Sequence, residues 1–154
     1  MKKQTITLLT LTALLFFIAA CGKDKDDTPA KTKTQYITQS TWKFDKATAN
    51  GNDVSNLPMF TCWKDNIVTF ASTTEGSGTG TIDEGANVCS PSSAGAFTWS
   101  FQTNETILFM STPVIPTGSS NFLIVTLNGT NLVVSQDVNV PPFGMQNVVV
   151  TFKH

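Results

Sequence analysis

The stretch Phe97-Thr98-Trp99-Ser100-Phe101-Gln102 decides the fold class. Aromatic rings stand at every second position, with Thr98, Ser100 and Gln102 between them. Successive side chains of a β-strand point to opposite faces, so one face of this segment is aromatic and the other is wet. That is the pattern of an antiparallel strand lying on a core with its back to water. The end of the chain repeats it, with Val148, Val150 and Phe152 alternating against Val149, Thr151 and Lys153.

Working outward from these two runs, nothing from residue 42 onward keeps helical spacing for long. Eight short β-rich runs are separated by turn residues: 42–47, 67–71, 78–83, 97–102, 106–110, 122–127, 131–137 and 147–153. Asn128-Gly129 between the sixth and seventh is a type I′ hairpin signal. Connections one, three, five and seven are long; two, four and six are short. In an up-and-down meander, odd connections gather at one end and even ones at the other. The sequence therefore predicts an all-β chain folded as an eight-stranded up-and-down antiparallel barrel with one tight and one elaborated end. The chain enters at the tight end, so the elaborated end points away from whatever holds the N-terminus.

The N-terminus reads as an address. Met1-Lys2-Lys3 is basic, and residues 6–20 are mostly apolar but short of the roughly 20 residues that span a bilayer. The run ends Ile18-Ala19-Ala20-Cys21-Gly22. Small residues ahead of a Cys resemble the bacterial lipobox, in which the signal is cleaved before the Cys and that Cys carries the lipid (palmitate among its acyl chains). Ile18 stands where that pattern usually has Leu, and an ordinary secretory signal is the alternative. Several acyl chains on Cys21 would give a stable anchor. Residues 22–33 lack apolar periodicity and read as a disordered tether, at most about 40 Å long when stretched. Asp24, Asp26 and Asp27 resemble the export signal of surface lipoproteins in Bacteroidetes; a solvated spacer is the alternative. The organisation is thus 1–20 signal, 21–39 lipidated Cys and flexible tether, 40–154 barrel.

Composition excludes several functions. Among 154 residues there are ten Lys, no Arg and a single His, His154, for a net charge of −1. Without Arg there is no bidentate clamp for phosphate or carboxylate. Without a basic excess there is no footprint for nucleic acid. One terminal His leaves triads, His metal sites and His acid–base chemistry without material. Asp65, Asp83 and Glu84 could be assembled as an acid pair on paper, though nothing in their spacing requires it. Asn50-Gly51-Asn52-Asp53 is oxygen-rich but reads as turn chemistry rather than a calcium loop. Gly76-Ser77-Gly78-Thr79-Gly80 lacks the Lys and helix of a phosphate loop. The chain is read as non-catalytic, with no cofactor and no metal.

Cys62 and Cys89 fall in the first and third connections, hence at the same end. In an exported chain they are read as a disulfide, two separate buried thiols being the alternative. The connections at that end are unusually apolar: Val54, Leu57, Met59, Phe60 and Trp63 in the first, Val114 and Ile115 in the fifth, Phe143 and Met145 in the seventh. Either these form a greasy mouth for a ligand or partner, or they fold inward and plug the barrel.

With these features in view, the mature chain resembles the lipocalin-like lipoproteins common in Bacteroidetes. The matching pieces are Ser40-Thr41-Trp42-Lys43, Cys62 through Phe70, the Gly-Thr-rich run to Cys89, Phe97-Thr98-Trp99-Ser100 and Val148 through Lys153. In lipocalins proper a Gly-x-Trp opens the first strand and an Arg near the last strand packs on that Trp. Here Ser40 replaces the Gly, no Arg exists, and Lys153 can substitute only in part. The resemblance implies a lipid-anchored outer-membrane barrel, exposed at the cell surface, that binds a small hydrophobic ligand. The cavity would be lined by Phe44, Trp99 and Phe101, opening toward Met59, Phe60, Trp63, Phe143 and Met145. The runner-up is a closed barrel whose apolar rim, with Phe60, Phe143 and Met145 exposed together, binds a protein.

Overall fold

The computed structural model describes residues 29–115 and 117–154; the signal segment, Cys21 and most of the expected tether lie outside them. The unit Lys31–His154 holds two short helices, α1 (Lys33–Thr38) and α2 (Pro58–Thr61). Its strands are β1 (Trp42–Ala49), β2 (Asn52–Asp53), β3 (Ile67–Thr74), β4 (Ser77–Asp83), β5 (Gly95–Gln102), β6 (Ile107–Met110), β7 (Asn121–Leu127), β8 (Asn131–Val140) and β9 (Gly144–Lys153). β1 and β3 to β9 pair in sequence order, all antiparallel, and β1 returns to pair with β9. The result is a closed eight-stranded up-and-down barrel with β2 as a side ribbon on β1. Each predicted run becomes one barrel strand.

Burial follows the alternation. Phe97 and Trp99 of β5 point inward, as do Val148, Val150 and Phe152 of β9. The glycine-rich stretch gains a structural reason here. Gly80 sits opposite Phe97 and Gly78 opposite Trp99. A Cβ on Gly80 would lie 2.3 Å from the Phe97 ring, and one on Gly78 would lie 1.9 Å from the Ala71 carbonyl oxygen. The aromatic ridge fits because the facing strand has no side chains there. Phe70 meets both rings edge-on, at 5.4 Å from Phe97 and 5.8 Å from Trp99. The Trp99 indole N–H donates to the Ala71 and Thr79 carbonyls at 3.2 and 3.1 Å. In β1 a bulge between Phe44 and Lys46 shifts the phase, so that Phe44 and then Ala47 face inward.

Four expectations need correction. The tether does not run to residue 39. Thr32 caps α1 with a reciprocal Thr32–Gln35 capping box, and Ile37 is fully buried. The α1 region closes the tight end by reaching all three short turns. Lys33 Nζ donates to the Glu105 carbonyl, Gly76 N–H to Thr34 Oγ1 at 2.9 Å, and Gln39 Nε2 to the Gly129 carbonyl at 2.9 Å. The second correction concerns the seventh connection, which is not long: β8 runs to Val140 and β9 starts at Gly144.

Third, the Asn128-Gly129 turn is not type I′, because neither residue has positive φ. Asn128 instead precedes the turn, its Oδ1 accepting from the N–H groups of Thr130 and Asn131, each at 2.9 Å. The type I′ signature belongs to Asn50 and Gly51, with φ 49° and 84°, which join β1 to β2. Fourth, Lys153 does not cover Trp42; it pairs with Asp45 at 3.1 Å on the surface. The His154 ring covers Trp42 instead, centroid to centroid 4.0 Å and tilted 37°. His154 is held by contacts of 2.9 Å to the Thr41 carbonyl and to Gln39 Nε2.

Candidate functional site: the open end of the barrel

Three of the four loops at the elaborated end are each pinned by one polar side chain. Ser55 holds the first: Ala47 N–H donates to its Oγ at 2.9 Å, and its own N–H donates to Asp53 Oδ1 at 2.8 Å. Glu84, only 3% exposed, holds the third: its carboxylate accepts from Ser92 Oγ, Ser93 N–H and Ser93 Oγ at 2.8, 2.7 and 2.9 Å. Gln136 holds the fifth: it accepts from Ser119 N–H at 2.9 Å and donates to the Ser119 and Asn121 carbonyls at 3.0 and 2.6 Å. Cys62 and Cys89 are joined in a disulfide, with Cα atoms 5.2 Å apart, tying the first loop to the third.

The acids considered for chemistry serve the third loop. Asp65 Oδ2 accepts from Ala86 and Asn87 N–H groups at 2.9 and 3.1 Å. Asp83 Oδ1 accepts from Gly85 N–H at 2.9 Å. Burial works to raise the Glu84 carboxyl, but the Ser93 and Ser92 donors outweigh it and hold it below the usual glutamate range. Asp65 is likewise lowered, desolvation being outweighed by the Asn87 and Ala86 donors. Among the described residues, no group of three or more His, Cys, Asp or Glu is placed to hold a metal.

Most of the apolar rim folds inward. Phe60 is 1% exposed, and Trp63, Val114 and Ile115 are equally buried, while Met59 packs partly against the core. Pro58 at the first helical position sets α2 so that Phe60 points into the barrel. Trp63 reaches Phe152 edge-on at 6.5 Å. Phe44 and Trp99 are buried, and Phe101 packs at 5.3 Å from Trp99. The interior expected to hold a ligand is filled. A void of about 10 Å³ lies among Phe70, Leu108, Met110, Phe122 and Val134. That is space for about one water, not for a ligand. The seventh loop behaves differently: Phe143 and Met145 are 63% and 66% exposed.

Two clefts remain on the outside of this end. One, about 230 Å³, runs beside Trp63, Cys89, Pro91 and Pro113. The larger, about 380 Å³, lies between the first loop and the β8–β9 turn, with Val54 and Leu57 on one wall and Phe143 on the other. Its polar lining, Asn52, Asp53, Asn56 and Gln146, was not legible as a site. The signal that could have found it is Asn50-Gly51, whose hairpin places Asn52 and Asp53 opposite Ala49 and Thr48. The loop entering β3 has a separate feature: Trp63 Nε1, Asp65 Oδ1 and both Asn66 amide atoms are buried without hydrogen-bond partners among the described residues.

Fold and rim together define a class: a filled, closed up-and-down β-barrel with a disulfide-braced open end. No family model matches the chain, and no curated protein matches it.

Proposed function

We propose that this chain is a lipid-anchored outer-membrane lipoprotein, non-catalytic, that binds its ligand on the outer rim of the open end rather than inside the barrel. One observation carries the reading. The interior void is about 10 Å³, while the groove beside the exposed Phe143 is about 380 Å³, within the range of small-molecule sites. The small hydrophobic ligand of the lipocalin resemblance therefore has to meet the chain outside. The protein-binding alternative keeps Phe143 and Met145 but loses Phe60, which is buried. The Cys21 lipobox supports the anchor, and the Asp24, Asp26 and Asp27 cluster supports surface display.

Native mass spectrometry of the protein extracted from its own membranes tests both halves. Residue 21 should carry acyl chains, and Cys21→Ser should leave the membrane fraction. An adduct held by the wild type and lost from Phe143→Ser supports rim binding. An adduct that survives Phe143→Ser refutes it.

A further inference from the structure

Resting on that rim reading, we propose that the groove between the Asn50-Gly51 hairpin and the β8–β9 turn is a subsite for neutral sugar residues. The argument starts from what lines it. Phe143, 63% exposed, lines one side with its aromatic ring, and Val54 and Leu57 line the other. The polar lining is three carboxamides, Asn52, Asn56 and Gln146, and one carboxylate, Asp53. A carboxamide offers donors and acceptors together, which suits a hydroxyl, itself both donor and acceptor. The negative face of an aromatic ring attracts the C–H-rich face of a pyranose. Few ligands are polyhydroxylated on their edges and apolar on one face; sugars are.

Three of the four polar side chains are already held in place. Asn50 Nδ2 donates to Gln146 Oε1, and Gln146 Nε2 donates to the Phe143 carbonyl at 2.8 Å, which fixes side chain and turn together. Lys64 Nζ donates to Asn56 Oδ1 at 2.8 Å, leaving the Asn56 amide hydrogens for a ligand. Ser55 N–H holds Asp53 Oδ1. The Asn52 side chain makes no hydrogen bond among the described residues. Groups held in place before binding lose little entropy on binding.

Charge narrows the ligand to a neutral one. Asp53 is the sole charged lining residue, and hydrogen bonding from Ser55 keeps its carboxyl below the usual aspartate range. Nearby Lys46 and Lys64 offset its field for anions and cations alike, so the groove has no net charge of one sign with which to recruit an ionic ligand. A peptide adding as a strand finds only the two residues of β2. Met145, on the opposite face of β9 from Gln146, stands apart from the groove.

The full-length chain is tested on an array of neutral di- to hexasaccharides and their sulfated or uronic counterparts, with titration calorimetry of hits. We expect neutral oligosaccharides to bind, Phe143→Ala to weaken them about tenfold and Leu123→Ala, on the barrel wall, to change nothing. Acidic counterparts should bind no more tightly than neutral ones. Phe143 is exposed, so its variant folds; unchanged thermal unfolding checks this. An array without a neutral hit overturns the proposal, as does binding indifferent to Phe143→Ala. If the array is blank while a membrane-derived adduct is still lost from Phe143→Ser, the sugar assignment fails and rim binding stands.

Discussion

Leu108→Ala tests whether the barrel is as solid as its packing indicates. Leu108 is 1% exposed, pairs across β6 with Phe101 and Phe122, and borders the void of about 10 Å³. Three carbons are removed, worth ~0.8 kcal/mol each, or about 2.4 kcal/mol of lost burial. If roughly 60 Å³ of the space they leave stays open, the cavity term at ~24 cal/mol per Å³ adds about 1.4 kcal/mol. The expected loss is therefore about 4 kcal/mol. Urea unfolding followed by the fluorescence of Trp42, Trp63 and Trp99, all buried, reads it directly. With a slope of about 2 kcal/mol/M the midpoint falls by about 2 M. The variant should also admit xenon or benzene, which the wild type excludes. A loss below about 1.5 kcal/mol would refute the reasoning. It would mean that the interior already has slack, and an internal ligand would have to be considered again.

Replacing both Cys62 and Cys89 with Ser should cost about 3.5 kcal/mol from loop-closure entropy over a separation of 27 residues, measured by the same unfolding assay. Stability should fall on acidification. Glu84 is depressed in the folded chain, so its contribution is complete above the unfolded value near 4.3 and disappears as pH drops through the lower folded value. Glu84→Gln should flatten that dependence in a series of thermal melts. Gly80→Ala should destabilise by several kcal/mol or prevent folding, because its Cβ would meet the Phe97 ring and the Thr69 carbonyl at 2.3 and 2.4 Å; circular dichroism of the purified variant decides. His154→Ala should cost about 0.5–1.5 kcal/mol through the uncovered Trp42 ring, read by urea midpoint and by Trp emission.

The strands were legible because their signal is local. The alternation at Phe97, Trp99 and Phe101 needs no tertiary context, and loop parity put Cys62 and Cys89 at the same end, where the structure joins them. What was missed depends on partners distant in sequence. α1 spans six residues, too few for helical periodicity, and only the Thr32–Gln35 capping box announces it. The choice between the two Asn-Gly dipeptides is made by which strands flank them. His154 stacks on Trp42 across 112 positions, and no composition rule places a terminal ring there. The rim was the hardest part. The same apolar letters, Phe60 and Phe143, describe one residue plugging the barrel and one facing water, and the difference lies in the backbone of α2 against that of the β8–β9 turn.

The circumference is fastened unevenly. β8 and β9 are joined along all ten residues of each strand, whereas β1 meets β3 only through Trp42 with Val68 and Lys43 with Ile67. A hoop gives at its lightest stave, so transient opening should begin where β1 leaves β3, baring amides that another chain's strand could capture. The small helix that lies against β3 then acts as a guard as well as a lid. That guard stands between separate barrels and a chain of exchanged ones.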